Sequence, residues 1–242
     1  MVSRRRRVIL TAMQSRFPPG AFARRDESSD VDFYAEPRLV THIDDPAIAA
    51  VGETYRRFLQ PGGEYLDLMS SWVSHFPADF EIGRLVGHGM NEVELRRNPA
   101  LAEYFLQDLN QDPALPFDDD RFDGVTICVS VQYLTQPIAV FKEIGRILKP
   151  GAPLIVTFSN RCFQTKAVSI WLVFDDEEHG QLVSTYAADA GYFDDIQVYD
   201  MSSRHTFYGI PDDPELRRKV ANGIVYTDPL YAVVAHKRQA AP

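Results

Sequence analysis

The sequence predicts an α/β protein built on a doubly wound, mostly parallel sheet with helices on both faces. Three observations in one stretch carry that prediction. Phe122 to Ser130 is a short apolar, β-branched run with Val125, Ile127 and Val129 on one side and no polar alternation, so both faces of this strand are expected to be covered. Pro137 opens a helical pattern in which Ile138, Phe141, Ile144 and Leu148 recur every three to four residues, and Pro150-Gly151 stops it. Leu154 to Phe158 is a second buried strand. Strand, helix and strand in this space form a βαβ unit with a right-handed crossover, and two parallel buried strands imply a larger sheet.

The string LPFDDDRFDGV, followed by SVQYL and VFKEIGRILKPGAPLIVTF, resembles the second half of class I S-adenosylmethionine-dependent methyltransferases of the small-molecule type. In that family the acidic turn leads into the fourth strand, and a helix ending in Leu-Lys-Pro-Gly leads into the fifth. The likeness is specific over about a fifth of the chain and weaker from Gly62 to Lys237. It implies a seven-stranded sheet with the last strand antiparallel, S-adenosylmethionine as cofactor and a small-molecule methyl acceptor. Fold alone does not decide function, which has to be argued from the site.

Composition bounds the alternatives. A chain of 242 residues fits one α/β domain with additions, and 45% hydrophobic content with 12% aromatic residues supports a large core. A net charge of −9 argues against a generally basic nucleic-acid surface, so no nucleic-acid partner is expected. Two cysteines, Cys128 and Cys162, stand far apart without metal spacing, which fits a reduced cytoplasmic setting and no metal. No apolar run approaches a membrane span. Oligomeric state is not legible.

In chain order, residues 1–32 read as a loose arm and 33–238 as the methyltransferase-like domain. Arg4 to Arg7 precede Val8-Ile9-Leu10, but the apolar part breaks at Gln14 and Arg16, too short for a signal sequence. A basic tail, or a start at Met13, is the expectation. Asp45 as N-cap and Pro46 begin a helix whose face is Ile48, Val51, Tyr55, Phe58 and Leu59. Tyr65 to Leu68 is the first strand, Arg84 to His88 the second and Phe105 to Leu109 the third. Between the last two, Asn91 to Arg97 reads as a short helix and Ala100 to Tyr104 as another helical turn. Lys166 to Phe174 and Glu177 to Gly191 read as helices, and Ile196 to Met201 and Leu230 to Lys237 as the final strands. The segment His205 to Thr227 between them is expected to be a lid or interaction element.

Strand ends carry the candidate site. In the resembled family the first strand ends in an acidic residue and alternating glycines; here Asp67 matches the acid, while Met69, Ser71 and Val73 stand at the glycine positions. Side chains there take up cofactor space and make positive φ costly. The ribose-binding acid at the end of the second strand is Gly89 here, with Asn91 and Glu92 as substitutes from the next helix. Asp108 matches the acid that meets the adenine amino group, beside Leu109. Cofactor contacts are thus expected from Asp67, Met69, Ser70, Ser71, Asn91, Asp108, Leu109 and Ser130. Substrate contacts are expected from Trp72, Gln132, Asn160 and Arg161, and His75, Tyr133 and Glu92 are the candidate bases.

Several candidates have a plainer reading. Asp108 caps a loop, Asp67 bonds to backbone in the following turn, His75 and Trp72 are structural, and Arg161 pairs with Asp67 or Asp108. Cys162 reads as an inert thiol. Two functions therefore compete: a small-molecule methyltransferase with a rebuilt cofactor loop, and a methyltransferase-like domain without catalysis that acts as a binding or regulatory module. The retained Asp108 and the polar strand ends favour the first, and the lost glycines favour the second.

Overall fold

A computed structural model of the chain describes residues 16–202 and 227–239. The basic tail and the element expected over His205 to Thr227 lie outside, or almost wholly outside, those residues. The strands are β1 (Glu64–Leu68), β2 (Arg84–Gly89), β3 (Glu103–Leu106), β4 (Gly124–Cys128), β5 (Pro153–Phe158), β6 (Phe193–Asp200) and β7 (Tyr231–Lys237). They lie in the order β3-β2-β1-β4-β5-β7-β6. All neighbours from β3 to β5 pair in parallel, and β7 runs antiparallel to both β5 and β6. The doubly wound sheet and its antiparallel last strand therefore stand as the sequence implied.

The helices are α1 (Asp30–Phe33), α2 (Asp45–Phe58), α3 (Glu92–Arg97), α4 (Pro137–Ile147), α5 (Ser169–Val173) and α6 (Asp176–Ala190). The period-two alternation of the strands divides the core. Leu66, Leu68, Val125, Ile127, Leu154 and Val156 face Phe141 and Ile144 of α4 and Val183 and Tyr186 of α6. Tyr65, Leu85, Ile155 and Val234 face Val51 and Tyr55 of α2 on the other side. Each of these large apolar side chains contributes about 1.5–3 kcal/mol on burial. Asp67 is buried at 2% exposure one residue on from Leu66, so the pleat turns its carboxyl to the α2 side.

Several boundaries differ from the sequence reading, each for a local reason. The N-cap of α2 is Asp44, whose side chain accepts from the Ala47 N–H at 3.0 Å. β3 is displaced toward the N-terminus, and the turn expected over Ala100 to Tyr104 is partly strand. Val86 pairs with Glu103, and Gly87 leaves the space that Leu101 fills, since a Cβ there would lie 2.4 Å from its Cδ1. The helix expected over Lys166 to Phe174 shrinks to α5 because the Ser169 and Ile170 N–H groups donate to the carbonyls of Ala23 and Ala21. The described part of the expected loose arm is therefore packed across the domain. Phe17 and Phe22 meet Tyr186, and Ala21 is buried. No helix among the described residues is long and apolar enough to cross a membrane.

Candidate functional site

A cavity of about 330 Å³ opens at the carboxyl ends of β1, β2 and β4, within the size range of small-ligand pockets. The sheet order changes direction here, which is where doubly wound sheets bind ligands. Its floor includes Asp67, Met69, Gly89, Asp108 and Ser130, and Arg38 with Val40 to Ile43 forms a wall across it. Among the sequence candidates, His75, Tyr133, Asn91, Leu109, Ser70, Ser71, Trp72 and Arg161 also line it.

The loop after β1 is held by side chains. The Met69 N–H donates to His88 Nδ1 at 3.1 Å and the Ser70 N–H to the His88 carbonyl at 2.6 Å. Ser71 Oγ donates to Glu94 Oε2 at 2.6 Å, Asn98 Nδ2 donates to the Ser71 carbonyl at 2.9 Å, and Trp72 Nε1 donates to the Val40 carbonyl at 3.0 Å. Met69 has φ 59 and His75 φ 53, so two side chains sit in the left-handed region that glycine favours. Met69 lines the cavity and also packs against the main core.

His88 was not anticipated. It is 2% exposed, and burial brings its pKa down to about 4. Its Nδ1 accepts from Met69, so the neutral ring carries its proton on Nε2, 2.9 Å from the Gln107 carbonyl. One neutral imidazole thereby ties the β1 loop to the exit of β3. Its signal in the sequence is a histidine within an otherwise apolar strand, RLVGHG.

Burial raises the Asp67 carboxyl to about 6, although hydrogen bonds from Ser70, Ser74 and Thr126 oppose the rise. Ser70 Oγ donates to it at 2.5 Å and Thr126 Oγ1 at 3.1 Å. Arg161, which the sequence pairs with Asp67 or Asp108, instead binds Asp228, Nε to Oδ1 2.7 Å. Asp108 Oδ1 accepts the Asn110 N–H at 2.9 Å while the residue lines the cavity, so its capping role and a ligand role coexist. Burial lowers the His75 imidazole to about 4, with a smaller push from His42, and leaves it neutral. Burial raises the Tyr133 hydroxyl to about 12, and its oxygen accepts the Phe163 N–H at 2.9 Å. The Cys162 thiol is also raised by burial, as expected of an inert group.

Three candidates lie off the cavity wall. Glu92 faces solvent and binds Arg96 at 2.6 Å, because two residues along a helix turn a side chain to the opposite face. Glu94 takes the cavity side instead. Gln132 is turned inward at 1% exposure, its Nε2 donating to the Val129 carbonyl at 2.9 Å. Asn160 is exposed beyond β5. Asn91 lines the cavity but is engaged on both sides. Its Oδ1 caps α3 by accepting from Val93 and Glu94, and its Nδ2 donates to the carbonyls of Tyr34 and Ala35. Gly89 carries no acid for a physical reason, since a Cβ there would lie 2.7 Å from the Ser70 carbonyl oxygen.

Sheet order, strand directions and site position define a class I methyltransferase fold. Residues 88–156, from β2 to β5, match the methyltransferase-domain family. A Marinomonas malonyl-[acyl-carrier protein] O-methyltransferase is 26% identical over 88 residues, covering 36% of this chain and 32% of the relative. A Renibacterium salmoninarum demethylmenaquinone methyltransferase is 37% identical over 76 residues, covering 31% and 30%. The chain thus spans about a third of the length of the curated relatives it matches. Among solved structures, Haemonchus contortus phosphoethanolamine N-methyltransferase 2 with S-adenosyl-L-methionine superposes with a TM-score of 0.51 at 16% identity, covering 79% of this chain and 52% of that one. The cyclase SpnF superposes with a TM-score of 0.54 at 19% identity, covering 80% and 82%. A cyclase on this fold shows why the site has to carry the functional reading.

Proposed function

We propose that the chain transfers a methyl group from S-adenosylmethionine to a small-molecule acceptor held in the same cavity. The observation that carries this reading is Met69. It keeps a glycine-like φ of 59 at the position of the family's first loop glycine, although a side chain there costs about 1–2 kcal/mol. Backbone strain of this kind persists where surrounding structure enforces it, commonly at functional sites. Ser130 adds a second sign, a buried Oγ on the cavity wall with no hydrogen-bond partner among the described residues.

S-adenosylmethionine, when bound, supplies an activated methyl group on its sulfonium. Asp108, Ser130 and Glu94 are the groups of this chain that would hold it, with Glu94 substituting from α3 for the acid that Gly89 lacks. The chain's main contribution is orientation. His75 is neutral and therefore able to accept a proton, but with a pKa of about 4 it is a weak base, so it suits an acceptor that is already acidic. Tyr133, its hydroxyl raised to about 12, orients the acceptor better than it deprotonates it.

Calorimetry with S-adenosylhomocysteine tests the reading. Asp108→Ala is expected to weaken binding by about 1–3 kcal/mol, the scale of an unpaired buried partner. Asp108→Asn keeps an acceptor for the Asn110 N–H and separates the charge from the turn. Unchanged affinity in both variants, with circular dichroism intact, would remove Asp108 from the site. The double change Met69→Gly and Ser71→Gly is expected to leave affinity unchanged or weaker, because it deletes the Ser71–Glu94 bond of a loop built on side chains. Tighter binding by that variant, from a wild type that barely binds, points instead to a blocked, non-catalytic site.

A further inference from the structure

We propose that Arg38 is the binding point for an oxyanion, a carboxylate or a phosphate, carried by the methyl acceptor; the assignment to the acceptor rests on the methyl-transfer reading above. Arg38 lies on the wall that it forms with Val40 to Ile43. Its guanidinium carbon sits 4.6 Å from the Phe33 ring centroid, 5.6 Å from that of Tyr34 and 5.3 Å from that of Phe163. Nη2 donates to the Phe33 carbonyl at 2.9 Å, and the backbone N–H donates to Glu94 Oε1 at 2.6 Å. Nη1 is buried and has no hydrogen-bond partner among the described residues.

A buried, unsatisfied donor on a cation is costly, and three aromatic rings hold this one in place. The other charges on the cavity wall do not complete it. Asp30 accepts from Arg24 and Asn110 and lies 3.2 Å from Lys166 Nζ. Glu94 uses its two oxygens on Ser71 Oγ and on the Arg38 backbone N–H. Arg161, the other arginine of the wall, is paired with Asp228. His42 and His75 are held neutral by burial, so neither supplies a competing cation at neutral pH. What remains is a positioned guanidinium with a free N–H, the arrangement that recognises carboxylate or phosphate oxygen.

The position favours the acceptor over the cofactor. Phe163, which the guanidinium covers, follows β5, and its N–H is bound to Tyr133 OH. Asp108 and Ser70 belong to the β1–β3 side of the cavity, and Glu94, which accepts the Arg38 N–H, stands between the two sides.

Calorimetric titration of benzoate, phenyl phosphate and neutral benzyl alcohol tests the assignment. The proteins are wild type, Arg38→Gln and Arg38→Lys, each with and without saturating S-adenosylhomocysteine. At least one oxyanion is expected to bind wild type, and the stronger of the two identifies carboxylate or phosphate. Arg38→Gln should weaken it by about tenfold or more, the scale of a charge-assisted hydrogen bond. Arg38→Lys should recover part of the loss, and benzyl alcohol should not distinguish the three proteins. Oxyanion affinity that is absent in wild type, or unchanged in Arg38→Gln, overturns the proposal. So does an Arg38→Gln protein that loses affinity for S-adenosylhomocysteine but not for 5′-methylthioadenosine, which lacks the amino-acid end, because Arg38 then serves the cofactor. Failure of wild type to bind S-adenosylhomocysteine counts against the methyl-transfer reading, and the ligand-free titrations still decide whether Arg38 binds oxyanions.

Discussion

Asp30→Ala is expected to cost about 3–5 kcal/mol of folding stability, measured as a lowered urea midpoint at unchanged slope. Asp30 is 5% exposed and accepts from Arg24 Nη1 at 2.7 Å on each oxygen. Asn110 Nδ2 donates to it at 2.9 Å, and the fully buried Lys166 lies 3.2 Å away. Removing the carboxylate leaves two buried cations without their shared counter-charge. Burial on its own pushes the Asp30 pKa up, but the bonds from Arg24, Asn110 and Lys166 hold it below the ordinary carboxylate value. A depressed carboxyl contributes stability above its unfolded pKa and loses it as pH falls through the folded value, so this network weakens only in acid. The variant should also loosen the site, because Asn110 bridges Asp30 to the Tyr133 carbonyl and gives its N–H to Asp108. Changing Arg24, Asp30 and Lys166 together to apolar residues of similar volume should recover much of the loss. A single Asp30→Ala variant within about 1 kcal/mol of wild type would show that the network contributes little.

That network explains what the sequence did not disclose. Asp26 to Asp30 falls in the stretch read as a loose arm, yet its partner Lys166 lies 138 residues after Ser28, which also receives its Nζ. Order in this arm comes from long-range charge pairing and leaves no periodic signal. β4, α4 and β5 were legible because both strand faces are apolar and a proline-glycine turn divides them. β3 was placed but its start was not, because it is an edge strand whose Glu103 reaches across to Arg84 at 2.7 Å and looks polar in sequence. Within the site, Asp67, the loop and Asp108 could be placed from strand ends. Glu94 was missed although the helical phase from the Asn91 cap points to it. Arg38 had no signal, because its neighbours Phe33 and Phe163 come together only in the fold.

Asp67 should behave in the opposite sense to Asp30, and Asp67→Asn is expected to be more stable than wild type at neutral pH. The carboxyl is buried at 2% exposure, and burial raises its pKa to about 6. A raised folded pKa means that the protonated form is the one the fold favours. Its contribution is fully present below the unfolded pKa and is lost as pH rises through the folded value, between about pH 4 and pH 6. Two pKa units correspond to about 3 kcal/mol, an upper scale for the difference at pH 7. An asparagine amide never ionises. Its oxygen can still accept from Thr126, and its NH₂ can donate to Ser70 Oγ with that hydroxyl turned around. Urea titrations from pH 4 to pH 7.5 should therefore show wild type and Asp67→Asn converging toward pH 4, separating between about pH 4 and pH 6, and keeping a constant offset above that. Parallel curves across that range would mean that the carboxyl keeps an ordinary pKa. The same variant should bind S-adenosylhomocysteine more weakly, because Ser70 loses the acceptor that orients it at the start of the loop. A more stable protein with a weaker site is the expected signature of a carboxylate kept at β1 for ligand binding at the expense of the fold.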